Sequence, residues 1–523
     1  MGETLPPLIQ ALHNPACYDH PVQSIRLVET HISWVLLTGA YVYKIKKPVN
    51  LGFLDFSTLE KRRFYCEEEL RLNRRLAESL YLDVTPIAGS PAHPVLNGLS
   101  ETIEYAVRMV QFPEDMRLDR MLARGELEKM HIDSLAQELA DFHGRVRVAG
   151  DNTPFGNPEH VYEPVKENFD QIRPRIEARD RLQLQRLETW SEQSFTGLRQ
   201  IFEDRKRQGF IRECHGDAHL ANMVWLEKRV VLFDCLEFNE NLRWIDTMSE
   251  VAFLAMDLDD RGHPALARRA LNVYLEHTGD YAGLALFRFY QVYRALVRAK
   301  VACIRLGQRG LSEEERRRVR EEYLGYVNLA ERYTQARPTA LVIMHGLSGS
   351  GKTWISQQLL ETFDAIRLRS DVERKRLHGL APHQRSGSGI DSGIYTSEGG
   401  RLTYARLAEL AAAILQAGYP VIVDAAFLKH GQRELFHALA ERARAPFVIV
   451  HIHAPESVLR ERLQSRVQQT QEASEAGLAV LDHQLAGRES LTEDEKRRAV
   501  FFDGVAPKIS ALVHLLRARL GTV

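Results

Sequence analysis

The stretch VIMHGLSGSGKTW, residues 342–354, restricts the possible folds of this chain more than any other part of the sequence. Residues Gly346 to Thr353 match the pattern G-x-x-x-x-G-K-S/T at every fixed position, directly after an apolar run. Such glycines let backbone N–H groups face phosphates at the positive end of the next helix. The pattern therefore predicts a buried strand, a phosphate-binding loop and a helix that begins at Lys352.

The polar residues around this loop have predicted tasks in binding a magnesium nucleoside triphosphate. Lys352 is expected to reach the β- and γ-phosphates, and Thr353 is expected to hold Mg²⁺. Asp424 ends the run VIVD, where its carboxylate could bind Mg²⁺ directly or through water. Strand ends also carry Asp as a helix cap, so this second interpretation of Asp424 stays open. The residues predicted to bind nucleotide here are Gly346, Ser348, Gly349, Ser350, Gly351, Lys352 and Thr353.

Two further stretches supply candidate catalytic groups for this site. In RLRSDVERKRL, Asp371 follows a predicted strand and would accept the proton of an acceptor hydroxyl. The alternative is that Ser370 or Asp371 caps the following helix. In PESVLRERLQSR, Arg462 and Arg466 lie four residues apart on one helix face. They would neutralise charge on the transferred phosphoryl group, or they form a solvated arginine face.

Strand and helix patterns alternate from Pro338 to the end of the chain. A charged helical segment ends near Arg337, and the runs ALVIM, AIRLRS, PVIVDAAF and PFVIVHIHA then follow, separated by helical periods. This order is typical of a parallel sheet with crossover helices. The sequence therefore predicts an α/β parallel-sheet P-loop NTPase domain over residues 338–523.

A second phosphate-handling pattern lies upstream in IRECHGDAHLANMVWL, residues 211–226. Asp217 and Asn222 have the spacing of a kinase catalytic loop, in which the Asp faces the acceptor hydroxyl and the Asn turns back to a metal ion. Asp234 ends the run VVLFD, where a second metal-binding carboxylate is expected. Asp217 is thus a candidate catalytic residue, and Asn222 and Asp234 are candidate metal ligands.

The residues that would complete this upstream site precede it in the chain. Lys44 and Lys46 of YVYKIKK point to the same face of a predicted strand, because strand side chains alternate. Lys44 is the favoured ATP-binding lysine, and Lys46 stays open as the alternative. The helical stretch FYCEEELRLNRRL supplies Glu69 as the partner carboxylate, with Glu68 as the second choice.

These motifs resemble two known families. The lysine strand, acidic helix, HGD loop and Asp234, in that order over residues 30–305, resemble the aminoglycoside phosphotransferase (choline kinase-like) family, although LTGA replaces a glycine-rich nucleotide loop. Residues 340–520 resemble the small P-loop kinases of the gluconate-kinase, polynucleotide-kinase and zeta-toxin type. The second resemblance implies roles for Lys352, Thr353, Asp371 and Arg466.

The two resemblances together imply a fold class and domain limits. The expected N-terminal domain, residues 1–335, is an α+β two-lobed protein-kinase-like domain, and the P-loop domain follows it at 338–523. The N-lobe of the N-terminal domain is expected at about 25–112, and the helical C-lobe of the same domain at about 113–335. ATP and Mg²⁺ are the implied cofactors of both domains.

The expected function is a bifunctional ATP-dependent phosphotransferase, in which each domain transfers the γ-phosphoryl group of ATP to the hydroxyl of a small molecule. The alternative is a P-loop domain that phosphorylates polynucleotides or nucleotide sugars, with the N-terminal domain as an ATP or ligand sensor or a slow kinase. A formal net charge of −1 disfavours nucleic acid as a partner, because polynucleotide binding depends on neutralising phosphates.

The cysteine content predicts that the protein resides in a reducing compartment. The five cysteines are odd in number, widely spaced and without a CxxC pair, which is neither a disulfide framework nor a zinc signature. No apolar run reaches the length of about 18 residues that a membrane helix needs, and the N-terminus lacks a signal-peptide pattern. We therefore expect a cytoplasmic protein without a membrane partner, and the sequence leaves its oligomeric state open.

Overall fold

The computed structural model describes residues 5–521 except 51, 53, 309, 383, 390, 391 and 467–476. The chain forms two compact units, and neither is one continuous stretch of sequence. The first comprises Met1–Glu167 and Phe202–Asp257, and the second comprises Asn168–Ile201 and Leu258–Val523. The domain limits 1–335 and 338–523 follow the sequence patterns and stay a prediction.

The strands and α-helices are numbered in chain order. The strands of the first unit are β1 Arg26–Glu29, β2 Ser33–Leu37, β3 Tyr41–Lys46, β4 Tyr81–Ser90, β5 His93–Leu96, β6 Thr102–Val110, β7 Ile211–Glu213, β8 Met223–Leu226, β9 Arg229–Leu232 and β10 Trp244–Asp246. Those of the second unit are β11 Leu341–His345, β12 Ile366–Arg369, β13 Val421–Asp424, β14 Phe447–His453 and β15 Ala499–Asp503.

The helices up to the phosphate-binding loop are α1 Pro7–Ala11, α2 Leu59–Ala77, α3 Leu118–Ala123, α4 Lys129–Arg145, α5 Pro158–Ile172, α6 Arg181–Arg207, α7 Thr247–Asp260, α8 Pro264–Thr278, α9 Leu284–Leu306 and α10 Glu313–Thr334. The later helices are α11 Lys352–Phe363, α12 Ser370–Leu377, α13 Ser397–Gln416, α14 His430–Ala443, α15 Glu456–Arg466, α16 Leu478–Gly487, α17 Glu493–Arg498 and α18 Ile509–Leu520. Within the described part of the chain, none of the helices is both long enough and apolar enough to cross a membrane.

The first unit is built on a six-stranded antiparallel sheet in the order β1-β2-β3-β6-β4-β5. Helix α2 begins after Thr58, whose side chain accepts a hydrogen bond from the Lys61 N–H group and so caps the helix. Its buried residues include Cys66, Glu69 and Leu72, three residues apart, so Glu69 lies on the face that packs toward the sheet. This packing places a carboxylate of α2 beside the lysines of β3.

Two short β-ribbons carry the HGD stretch in the first unit. Strand β7 pairs antiparallel with β10, and β8 pairs antiparallel with β9. The HGD residues connect β7 to β8, and Asp234 follows β9. Together with helices α3, α4 and α7, these ribbons form the helical lobe that follows the six-stranded sheet. The arrangement confirms the predicted α+β, two-lobed kinase-like class.

The second unit contains a five-stranded parallel sheet in the order β12-β13-β11-β14-β15. All five residues of the central strand β11 are buried. One face of the sheet, which includes Val342 and Met344 of β11, packs against apolar residues of α11 and α18, such as Leu359 and Leu512. The phosphate-binding loop joins β11 to α11, at the carboxyl edge of the sheet where α/β folds bind ligands. The predicted α/β parallel-sheet P-loop class is confirmed.

Candidate active sites

Both predicted lysines of β3 contact Glu69 in the first unit. The Lys44 Nζ atom donates to Glu69 Oε1 at 2.8 Å and to Asp234 Oδ1 at 2.5 Å. The Lys46 Nζ atom donates to Glu69 Oε2 at 2.8 Å and to the carboxylate of Glu237. The Lys46 side chain is 0% exposed, whereas that of Lys44 is 14% exposed. Lys44 therefore lies at the edge of the site and Lys46 lies inside the protein.

Two ammonium groups and three carboxylates face one another in this cluster. Burial raises the pKa of Glu69, but the ammonium groups of Lys44 and Lys46 outweigh burial and lower this pKa to about 2. Glu69 is therefore ionised at neutral pH. Glu237, which sequence reasoning missed, lies on the far side of Lys46, and burial raises its pKa. The alternative residue Glu68 pairs instead with Arg71.

The HGD loop holds Asp217 and Asn222 together. The Asn222 Nδ2 group donates to Asp217 Oδ2 at 2.9 Å and to the Asp217 backbone oxygen at 3.1 Å. Asn222 is buried, whereas the Asp217 side chain is 35% exposed. Gly216 turns the chain with φ +88°, and a Cβ atom there would lie 2.8 Å from the Leu242 oxygen. This turn therefore requires glycine and presents Asp217 to solvent.

Glu250 on α7 holds the same loop in place through hydrogen bonds to its backbone. Its carboxylate accepts the N–H groups of His215 at 3.1 Å and Gly216 at 2.5 Å, and it contacts His143 Nε2 at 2.9 Å. Burial raises the pKa of Glu250, but the hydrogen bond and charge of His143 contribute to lowering it to about 2. Sequence reasoning missed this role. The available signal was a carboxylate inside the apolar stretch SEVAFLAM.

Asp234 lies in a constrained turn close to the HGD loop. The sequence predicted a strand that ends at Asp234, but β9 ends at Leu232, and Asp234 has φ +63°. The preceding Phe233 ties this turn to the loop, since its N–H group donates to the Asn222 oxygen at 3.0 Å and its oxygen contacts His215 Nε2 at 2.9 Å. The turn therefore carries a carboxylate from β9 back toward Lys44.

The oxygen atoms of this first site suit a hard divalent cation. Asp217 and Asp234 offer carboxylates, and the amide nitrogen of Asn222 is used by Asp217, which leaves its Oδ1 atom as the ligand atom. Carboxylate and amide oxygens are the ligands that Mg²⁺ prefers. The residues present therefore fit a magnesium nucleotide.

In the second unit, the phosphate-binding loop has the backbone that its glycines require. Gly349 has φ +84°, and a Cβ atom there would lie 3.0 Å from the Leu459 oxygen. The Lys352 Nζ atom donates to the oxygens of Gly346 and Leu347, each at 2.9 Å. Helix α11 begins after Gly351, so its amino end faces the loop. The loop thus has the arrangement that binds phosphates at a helix N-terminus.

Other residues hold this loop in place. The Ser348 N–H group donates to Gln484 Oε1 at 2.8 Å, a contact that sequence reasoning missed. Ser350 is buried. Arg462 donates to the Gly349 oxygen at 3.3 Å and to the Gly504 oxygen at 2.8 Å, so it clasps the loop backbone. Arg466 ends α15, and its side chain lies outside the described part of the chain.

A cavity of about 380 Å³ opens beside this loop. It brings together four residues that the sequence had placed in one site and two arginines to which it had assigned no role. These lining residues are Lys352, Thr353, Asp371 and Asp424, with Arg369 and Arg374. The cavity therefore combines a phosphate-binding lysine, two carboxylates and additional positive charge.

The two carboxylates of the cavity differ in their surroundings. Arg369, not Asp371, is the residue that precedes α12 as its N-cap. The Asp371 side chain is 29% exposed and lies 3.5 Å from an Nη atom of Arg374. Asp424 is buried, and its Oδ2 atom accepts the Ser356 hydroxyl at 3.2 Å. The Thr353 hydroxyl and the Asp424 carboxylate are oxygen ligands of the kind that fit Mg²⁺.

Two family models match separate parts of the chain. A model of the phosphotransferase enzyme family matches residues 65–287, and a model of an AAA domain matches residues 341–491. Uncharacterized proteins of Mycobacterium tuberculosis (strain H37Rv) and Mycobacterium bovis are 30% identical over 459 residues, which cover 86% of this chain and 88% of theirs.

Solved structures resemble parts of the chain. A sugar kinase from Janibacter sp. HTCC2649 is 24% identical, with 36% of this chain and 96% of that chain covered and a TM-score of 0.28. An amicoumacin kinase in complex with AMP-PNP, Ca²⁺ and amicoumacin is 12% identical, with 61% and 92% covered and a TM-score of 0.40.

Proposed function

We propose that this chain, which belongs to the family of these mycobacterial proteins, is a bifunctional kinase with two separate transfer sites. Its own sequence matches a phosphotransferase model, followed by an AAA domain model. That it is an ATP-dependent kinase follows from the two domain families. The observation that supports two sites is that each compact unit contains its own complete set of groups. Each set has a carboxylate facing solvent or a cavity, a lysine, and oxygen ligands for a metal.

In the first site, Asp217 accepts the proton of the acceptor hydroxyl as that oxygen attacks the γ-phosphorus. The bond from the γ-phosphorus to the bridging oxygen of ADP breaks, and ADP leaves. The exposed Asp217 carboxylate is oriented by the Asn222 amide group at 2.9 Å. Lys44 binds phosphate oxygens, and Glu69 holds its ammonium group in place. Such a base contributes typically about 10²–10⁴-fold to the rate.

In the second site, Lys352 binds the β- and γ-phosphates within the loop, and Asp371 accepts the proton of the second acceptor. Both residues line the same cavity, so an acceptor bound there can meet the γ-phosphoryl group. Arg462 keeps the loop backbone in shape through the Gly349 oxygen. Arg466 stays a candidate for neutralising charge during transfer.

Mg²⁺ is the proposed metal of both sites. Asn222 and Asp234 would hold it in the first site, and Thr353 and Asp424 would hold it in the second. When bound, it would neutralise charge on the β- and γ-phosphates. The proposed acceptors of both sites are small molecules with a hydroxyl group. For the second site, a cavity of about 380 Å³ beside the phosphate-binding loop supports this proposal.

The test is transfer of a radiolabelled γ-phosphoryl group from ATP to a panel of sugars, sugar acids, amino alcohols and oligonucleotides. We expect Asp217→Asn to abolish labelling of one group of acceptors and Lys352→Ala to abolish labelling of another. A panel in which all labelling depends on Lys352, with Asp217→Asn unchanged, would contradict a transfer role for the first site. Labelling of oligonucleotides by the second site would contradict the proposal that its acceptor is a small molecule.

A further inference from the structure

One carboxylate from α8 connects that helix to the cavity of the second site. Glu276 is 9% exposed, and its Oε1 atom accepts from Arg367 Nε at 2.7 Å. Its Oε2 atom lies 3.6 Å from an Nη atom of Arg369. Arg367 is buried, whereas Arg369 lines the cavity with Lys352. Both arginines belong to β12, so Glu276 contacts the strand that leads into α12 and Asp371.

Hydrogen bonds to the backbone of β12 hold α8 in a fixed position along this strand. The Arg367 N–H group donates to Asn272 Oδ1 at 2.7 Å, and Asn272 Nδ2 donates to the Ala365 oxygen at 3.1 Å. Asn272 therefore pairs with the free edge of the sheet as a neighbouring strand would. An Nη atom of Arg376 also donates to the Glu276 backbone oxygen at 2.5 Å. These contacts fix Glu276 relative to the cavity.

Glu276 carries a negative charge in this position. Burial raises its pKa, but Arg367 and Arg369 outweigh burial and hold this pKa below its usual range. Burial also lowers the pKa of Arg369, and the carboxylates of Glu276, Asp424 and Asp371 outweigh it. Arg369 is therefore a cation with carboxylates around it. Its guanidinium has more N–H donors than one carboxylate can accept, so some donors remain for another ligand.

We infer that Glu276 is a positioning residue of the second site, which holds the Arg369 guanidinium so that its other N–H donors face the phosphoryl group being transferred. The inference rests on the proposed kinase function of this cavity. A fixed guanidinium stabilises charge that develops during transfer, because its donors need no reorganisation. The site then depends on a helix that the sequence assigned to the preceding domain.

The test measures second-site turnover in the full chain. Asp217→Asn is present throughout to remove the first activity, and MgATP hydrolysis that depends on Lys352 is followed, with water as the acceptor. We expect Glu276→Gln to lower kcat by about ten- to a hundredfold, because small misplacements of a charged group cost that much. The KM for ATP should change by less than about twofold, because Lys352 and the loop are untouched.

Glu361→Gln is the matched control. Glu361 is on α11 and pairs with Arg269 of the same helix α8 at 2.8 Å, with its side chain 9% exposed. Its substitution removes a comparable ion pair at the same contact but away from the cavity. We expect it to leave kcat within about twofold of the parent protein. Equal losses of kcat in Glu276→Gln and Glu361→Gln would mean a general structural effect and would overturn the inference.

A double-mutant cycle separates positioning from an independent role. Glu276→Gln combined with Arg369→Gln should be no slower than Arg369→Gln alone, because a residue that acts through the Arg369 guanidinium has no effect once that guanidinium is absent. Multiplied losses in the double variant would overturn the inference.

If Glu276→Gln reduces the folded yield, Arg369→Lys leaves the Glu276 contact with Arg367 intact and should still lower kcat about tenfold. An unchanged kcat in Arg369→Lys would overturn the inference while the proposed function stands. Absence of any Lys352-dependent turnover in the parent protein would overturn both.

Discussion

Lys44 and Lys46 share one carboxylate but differ in what their removal should cost. Lys46 is 0% exposed between Glu69 and Glu237, so Lys46→Met would leave the buried Glu237 without this cation and Glu69 with Lys44 alone. Breaking a buried ion pair on one side typically costs about 3–5 kcal/mol, and we expect that loss in the free energy of unfolding. Lys44→Met should cost less stability but should abolish first-site transfer.

Denaturant unfolding and Asp217-dependent transfer, measured on both variants, check this prediction. A Lys46→Met protein that is as stable as the parent and inactive would exchange the roles of the two lysines. Retained first-site transfer in Lys44→Met would remove Lys44 from the nucleotide site.

Local spacing explains which site residues the sequence could predict. Asp217 and Asn222 are five residues apart, and Lys352 and Thr353 are adjacent in one loop, so each motif can be recognised from one short stretch. Glu237, Glu250 and Arg369 could not be assigned in this way. Their partners are remote in sequence: 191 residues separate Lys46 from Glu237, and 107 separate His143 from Glu250. Such pairs become visible when the fold brings their charges together.

At the level of elements, the adjacent strands β11 and β14 hold a histidine pair, in which His345 is buried and His451 is half-buried. His345 and His451 are register partners, and their Nδ1 atoms lie 2.6 Å apart. Burial, together with the nearby charge of His451, lowers the pKa of His345 to about 3. An imidazole in the unfolded chain titrates near about 6.5, so the unfolded state binds the proton first as the pH falls. This pair therefore stabilises the fold above about pH 6.5 and loses that contribution between about pH 6.5 and 3.

We predict that His345→Gln makes the unfolding free energy less dependent on pH in this window. Denaturant unfolding at several pH values from about 7 to 4 measures it, with exposed His514→Gln as the control. His514 is also a histidine but lies exposed on α18, so its replacement should leave the pH dependence of the unfolding free energy as it is in the parent protein. The same slope in His345→Gln and in the parent would contradict the prediction.

The element pattern was readable where apolar periodicity is strong. Strand β3, strands β11 to β14 and helix α2 were predicted from strand or helix patterns. The hairpin β4–β5 and strand β15 were not. Strand β4 contains Pro86 and Gly89, which interrupt a strand pattern, and its stability comes from pairing with β6 over most of its length. Strand β15 follows directly after the charged helix α17 and pairs with β14.

At the level of the whole molecule, sequence patterns and compact units divide the chain differently. The motifs suggested a boundary near Pro338, yet helices α8 to α10 belong to the same compact unit as the parallel sheet. Arg268 on α8 donates to the Glu361 oxygen at 2.8 Å, and Arg288 on α9 donates to the Gly418 oxygen at 2.6 Å. Periodicity reports which face of a helix is apolar but not which strand it covers. Hence the fold class could be predicted and this packing could not.

The central claim is that two sites transfer phosphate independently in one chain. The most direct measurement is steady-state consumption of MgATP, with active acceptors present, by the parent, Asp217→Asn, Lys352→Ala and the double variant. We predict that the rates lost in the two single variants add up to the parent rate, and that the double variant is inactive. If either single substitution stopped all consumption of ATP, the two sites would not be independent, and the account would be wrong.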